Sequence, residues 1–138
     1  MLLRCTSLIF SQHRSQHDAV ELKKRGAELF AANKPTIARK KFKRALAYVE
    51  RRDDWPTHLA DEGEQLALSL HLNIGATYQK TDEPKMVIEA CTRALDIDPN
   101  NVKALYRRAL AYVSRTEWDD AEADLRAAVR VEPVRCVQ

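Results

Sequence analysis

From Val102 to Val113, apolar residues recur at every third or fourth position, at Val102, Leu105, Ala109, Tyr112 and Val113, with charged residues between them. That is the period of an amphipathic helix with one buried side. The same rhythm predicts helices near 17–33, 35–52, 64–81, 84–97, 101–115 and 118–131. The breaks between them carry turn chemistry. Pro35 and Pro84 fall where a first-turn proline is tolerated, because the N–H it lacks has no partner in that turn. Trp118 takes the same place in the last helix, behind Thr116 and with Asp119 three residues on, a spacing that reads as a capping box. Pro99, Asn100 and Asn101 mark another turn. Around residues 51–67 the rhythm is interrupted. A helix extension that breaks before Pro56 fits this stretch, since proline disfavours α geometry in the residue before it.

The pattern also repeats. At an offset of 34, residues 68–99 map onto 102–133, pairing Gly75 with Ala109, Tyr78 with Tyr112, Val87 with Ala121, Cys91 with Leu125, Ala94 with Ala128 and Pro99 with Pro133. Placing Gly26 on Gly75 brings in a third copy, with Leu29, Ala38, Phe42 and Ala45 in register. That offset is 49, so 15 residues are inserted. Small residues sit where two antiparallel helices cross closely, and a large one such as Phe42 or Leu125 fills the gap beside them. The expected organisation is a flexible tail over 1–17, helix pairs over 18–133 (about 19–52, 68–101 and 102–135, with the insertion at about 51–67) and a C-terminal tail over 134–138. Only five residues follow Pro133. The last helix is therefore expected to expose Leu125 and Val129, a face for a second copy or a partner to cover.

Composition agrees with an all-α fold. The chain is 45% apolar and 31% charged, and its 3 Gly and 5 Pro leave little turn chemistry for a β-sandwich or barrel. The net charge of +3 hides an asymmetry: residues 1–50 hold 11 Lys/Arg against 4 Asp/Glu, and residues 51–138 hold 12 against 16. The acidic second part disfavours a general nucleic-acid binder. No apolar run approaches the roughly 20 residues of a membrane span. Cys5, Cys91 and Cys136 are odd in number and widely spaced, which points to a reducing compartment and a cytoplasmic protein. The Arg- and Ser-bearing, acid-free residues 1–17 leave a mitochondrial leader as the alternative.

The repeat resembles the tetratricopeptide repeat (TPR), which implies three helix-turn-helix units in a right-handed superhelix. The strings Leu-Lys-Lys-Arg-Gly (22–26), Leu-Asn-Ile-Gly-Ala (72–76), Ala-Leu-Asp-Ile-Asp-Pro (94–99) and Lys-Ala-Leu-Tyr-Arg-Arg (103–108), with the long first insertion, are similar to the TPR domain of the large immunophilins, cyclophilin-type first and FKBP-type next. The resemblance implies a protein–protein interaction module, a co-chaperone adaptor. Its groove would bind the acidic C-terminal Glu-Glu-Val-Asp tail of heat-shock protein 90 or heat-shock protein 70 through a carboxylate clamp. Carried over position by position, the clamp is Lys23, Asn73, Lys103 and Arg107. By analogy Lys23 and Asn73 meet the terminal carboxylate, and Lys103 with Arg107 meets the remaining acidic groups. A fifth position, asparagine in many members, is Ala27 here, a loss of one charge-assisted hydrogen bond worth about 1.5–3 kcal/mol.

The chemistry suits those residue types. A tail ending in Asp presents two carboxylates, which a planar guanidinium and point-charge ammonium groups can hold, and Lys103 and Arg107 at i, i+4 share one helical face. Lys24, Arg25 and Arg108 are expected at the surface. The run Arg39, Lys40, Lys41, Lys43, Arg44 is expected on a solvated convex face, Cys91 as a buried thiol, His71 in the core, and Tyr78 and Tyr112 at helix-packing positions. His13 and His17 at i, i+4 lack a third metal ligand. No phosphate loop, nucleophile elbow or paired catalytic carboxylate is present, so neither cofactor nor enzyme is expected. Two alternatives stay open: a general TPR scaffold with another peptide ligand, and a fragment of a TPR-bearing prolyl isomerase whose isomerase domain lies outside these residues.

Overall fold

The computed structural model describes the backbone of residues 2–50 and 57–133 and the side chains of residues 14–50 and 59–133. These residues form α1 (Leu2–Ala31), α2 (Pro35–Glu50), α3 (Thr57–Lys80), α4 (Pro84–Ile97), α5 (Val102–Ser114) and α6 (Trp118–Val131), with no strand among them. The architecture is all-α, as the periodicity predicts. The end of the second helix near 52, the break before Pro56 and the tail 134–138 lie outside the described residues. No described helix is long and apolar enough to cross a membrane.

Two starts differ from expectation. Helix α1 begins at Leu2 rather than near 17, taking in the stretch expected as a tail. No glycine or proline occurs before Gly26 to interrupt it, and the Gln16 amide donates to the Glu62 carboxylate at 2.7 Å. Helix α3 begins at Thr57 rather than near 64, because Leu59, Gly63, Leu66 and Leu70 make a buried stripe at spacings of four and three. Part of the insertion is therefore two more turns of the third helix.

The chain divides into two compact units, Met1–Leu70 and His71–Gln138, and α3 contributes to both. In the first unit α1 packs on α2. Ala38, Phe42, Ala45 and Val49 form the buried stripe of α2. Gly26 sits against the Phe42 ring so closely that a Cβ built on it would lie 2.5 Å from Cε1. A side chain there would displace a ring whose burial contributes roughly 1.5–3 kcal/mol.

In the second unit α4 packs on α5 and α5 on α6. Gly75 of α3 lies against Cys91 and Ala90 of α4. Helix α4 buries Val87, Ala90, Cys91, Ala94 and Leu95, and α5 buries Ala104, Leu105, Ala109 and Ala111. The stripe of α6 is Ala121, Asp124 and Ala128, an acid among small residues. Asn101 caps α5, its side chain accepting from the Ala104 N–H at 3.1 Å.

Three turns share one geometry. Asn33, Asp82 and Thr116 have φ of 58°, 55° and 62°, and each lies just past a helix. In each turn that residue's N–H, and the next one's, reach back to the helix. For Thr116 and Glu117 the acceptors are the Val113 and Tyr112 carbonyls, at 3.0 and 2.9 Å, a Schellman closure. The expected capping box at Thr116 is therefore corrected. Thr116 ends α5 instead of opening α6, its hydroxyl donates to the Arg115 carbonyl, and the N-cap position of α6 is Glu117 with no side-chain cap.

Candidate peptide-binding site

Each candidate clamp residue has a helix beneath it. Lys23 is half-buried on α1, one turn before Gly26, while Lys24, Arg25 and Ala27 are exposed. Arg25 is engaged along the helix by Glu21 at 3.2 Å, the surface role expected of it. Asn73 is half-buried on α3, Lys103 is exposed on α5, and Arg107, one turn on, is half-buried.

Arg107 reaches α3. Its Nη1 donates to the Leu72 carbonyl at 3.0 Å, next in sequence to Asn73. This bond fixes a long side chain and spends one of the five guanidinium donors, leaving the rest of the fork for other acceptors. Within the His71–Gln138 unit the structure thus brings Arg107 to the main chain beside Asn73, with Lys103 on the same face of α5. Lys23 belongs to the Met1–Leu70 unit. Beside Arg107 lies a cavity of about 180 Å³, walled by Gln79, Val87, Leu110, Ala111 and Ser114 among others.

Arg108, expected at the surface, is not there. Its Nη2 and Nε reach the two oxygens of Asp124 at 2.6 and 2.7 Å, and its Nη1 donates to the Thr92 hydroxyl at 3.0 Å. The side chains are 20% and 8% exposed. Its guanidinium carbon also lies 5.9 Å from the Tyr112 ring centroid. The hydrogen bond to Asp124 raises the pKa of Arg108, against the opposing pull of burial. One cation therefore ties α4, α5 and α6 together. A signal was present in the sequence: at position 124 an acid interrupts the apolar stripe of α6, and a buried acid demands a cation.

Cys91 is fully buried, as expected, and burial pushes its thiol up to about 11. Phe42 and Tyr78 are core residues, Tyr112 is half-buried, and His71 is half-buried where a core position was expected. His17 is exposed, and the His13 side chain lies outside the described residues. The described residues hold no cluster of three or more metal-ligating side chains.

The tetratricopeptide repeat family matches residues 90–123. The chain is 32% identical over 121 residues to the peptidyl-prolyl cis-trans isomerase PASTICCINO1 of Arabidopsis thaliana, covering 83% of this chain and 18% of that protein. It spans between 18% and 31% of the length of the first curated relatives it matches. Among solved structures, the C-terminal TPR-containing domain of a Plasmodium falciparum FK506-binding protein superposes with a TM-score of 0.83 at 28% identity, covering 90% of this chain and 83% of that one. The second TPR of Spaghetti (RPAP3), bound to the HSP90 peptide SRMEEVD, superposes with a TM-score of 0.71 at 24% identity, covering 88% and 98%. The same domain of human RPAP3 has been solved with the HSP70 peptide SGPTIEEVD, and at 22% identity it too shares the fold. The 34-residue period, the helix pairs with small residues at their crossings and these relatives converge on one assignment: the chain carries a tetratricopeptide-repeat domain of the kind found in immunophilin co-chaperones.

Proposed function

We propose that this chain is a co-chaperone adaptor that captures the acidic C-terminal tail of heat-shock protein 90 or heat-shock protein 70 through Lys23, Asn73, Lys103 and Arg107. The observation that carries the reading is the hydrogen bond from Arg107 to the Leu72 carbonyl, which steadies the guanidinium beside Asn73 with Lys103 one turn away. Preorganised donors lower the ordering cost of binding a short flexible peptide. The TPR fold is shared with RPAP3 domains solved with HSP90 and HSP70 peptides, which supports a tail ending in Glu-Glu-Val-Asp as the ligand. The module works without chemistry of its own, in the cytoplasm, and isomerase activity belongs to a separate domain of immunophilin relatives. A short, charge-dominated contact implies micromolar affinity, about −8 kcal/mol, and strong salt dependence.

The test is calorimetric titration with a pentapeptide ending in Glu-Glu-Val-Asp, as the free acid and as the C-terminal amide, against the native chain and Lys103→Ala/Arg107→Ala. Circular dichroism of the variant checks that loss of the Leu72 contact leaves the helices intact. Binding should be micromolar for the acid and at least about thirtyfold weaker for both the amide and the variant, the size expected when a paired charge is truncated. Equal affinity for acid and amide would overturn the clamp and leave a scaffold with another peptide ligand.

A further inference from the structure

The repeat supplies its own control for what should be buried on α6. At the offset of 34, Cys91 and Leu95 of α4 correspond to Leu125 and Val129 of α6. Cys91 and Leu95 are 0% and 9% exposed, because α5 packs over α4. Leu125 and Val129 are 39% and 52% exposed, and Trp118 and Val113 beside them are exposed too. These side chains wall an open groove of about 800 Å³, with Glu122, Arg126 and Arg130 along it. A continuous apolar groove rimmed by charge is the form of an interaction surface.

The charges say which partner fits. On a helical wheel Trp118, Glu122, Leu125 and Val129 share the groove side of α6, flanked on one edge by Asp119, Arg126 and Arg130. Asp119 and Glu122 lie in the N-terminal half of the helix and Arg126 and Arg130 in the C-terminal half. Laid antiparallel on a second α6, Glu122 faces Arg126 of the other copy, Asp119 faces Arg130, and Trp118 lies over Val129. Laid parallel about a two-fold axis, the two charged edges fall on opposite sides of the pair and form no such contacts. Such self-complementarity is what an isologous, two-fold contact requires, and antiparallel helices also align their dipoles favourably. Within one copy Glu122 and Arg126 pair along the helix while 60% and 74% exposed, so exchanging that pair for one across the interface costs little.

We propose that α6 and the adjoining edge of α5 form a homodimer interface, two copies of this chain packing their α6 helices antiparallel about a two-fold axis. The contact is independent of the proposed tail-binding residues, none of which lies on α6.

Sedimentation equilibrium of the chain from about 1 to 500 μM tests this, with helicity checked in parallel, since every residue to be changed is exposed. The native chain should pass reversibly from 15.8 kDa to twice that mass. Leu125→Asp should move the dissociation midpoint up by at least about tenfold, the loss expected for placing a charge on a buried apolar contact. Glu122→Arg should weaken the dimer, and Glu122→Arg/Arg126→Glu should restore it, because the swapped edge is again self-complementary. A constant mass of 15.8 kDa throughout would overturn the proposal. So would a dimer indifferent to Leu125→Asp, a charge swap that fails to restore association, or growth beyond the dimer, which would signal a head-to-tail contact with a different surface.

Discussion

The Arg108–Asp124 pair is the interaction whose removal should be felt most. Two short hydrogen bonds join the guanidinium to the carboxylate, and a third runs to Thr92. Each bond to a charged group contributes about 1.5–3 kcal/mol, and breaking a buried pair by removing one partner costs about 3–5 kcal/mol because the other charge is left desolvated. Arg108 keeps 20% of its side chain in water, so an orphaned arginine can rehydrate in part, whereas Asp124 at 8% cannot. Asp124→Ala should therefore cost about 3 kcal/mol and Arg108→Met rather more. For a chain of this size either loss lowers Tm by about 10 °C. The double variant Arg108→Met/Asp124→Ala leaves no buried charge and should cost no more than Arg108→Met alone, about 4 kcal/mol, so that the single losses fail to add by about 3 kcal/mol in a double-mutant cycle. Urea unfolding followed by circular dichroism at 222 nm measures all four species. Single variants that each lose less than about 1 kcal/mol, with effects that simply add, would refute the claim that this pair holds α4, α5 and α6 together.

The two crossing glycines should respond oppositely to alanine. Gly26→Ala drives a Cβ into the buried Phe42 ring and should cost about 1–2 kcal/mol after the gain in helix propensity, while Gly75→Ala, with Cys91 Sγ at 3.4 Å, should be neutral or stabilising by up to about 1 kcal/mol; paired melting curves decide. Thr116→Gly relieves a β-branched residue held at φ 62° and should stabilise by about 1 kcal/mol, read as a rise in Tm of a few degrees; a fall would mean that the threonine contributes something the turn needs. Ala27→Asn restores an amide donor at an exposed position on α1 and should tighten binding of the free-acid peptide by about tenfold in calorimetry, with no effect on the amide. Cys91 has a folded pKa of about 11 against an ordinary 9.0, so its stabilising contribution is complete below pH 9 and is lost as pH rises through 11. Up to about 2.7 kcal/mol should disappear from the urea-derived stability across that window, and Cys91→Ala should flatten this part of the profile.

The repeat and its helices were legible because they are local. Apolar spacing records which side of each helix is buried, and Pro35 and Pro84 sit at first-turn positions that proline suits, so α2, α4, α5 and α6 start within a residue of expectation. The burial of Phe42 and Cys91 follows from repeat register, and the exposure of Leu125 and Val129 agrees with the expectation for the last helix. The clamp candidates came from positional resemblance, and their helix faces could be read from sequence. That Arg107 would be tied to the Leu72 carbonyl could not, because that bond depends on how closely α5 approaches α3.

What only the tertiary structure decided involves choices that the local sequence leaves balanced. Thr116 carries a plausible signal for opening α6, yet the chain uses it to close α5, because two N–H groups then satisfy the orphaned Tyr112 and Val113 carbonyls. The first 16 residues of α1 lack breakers, which permits a helix without requiring one. Arg107 and Arg108 are neighbours of the same chemistry, and from sequence Arg107 is set in the clamp and Arg108 at the surface without a partner for either. The crossing of α5 with α6 sends Arg108 to Asp124, and its approach to α3 sends Arg107 to a backbone carbonyl. Periodicity reports burial one helix at a time. Which charge meets which partner is fixed by the angle and separation of packed helices, and those arise only when their stripes of small and large residues interlock.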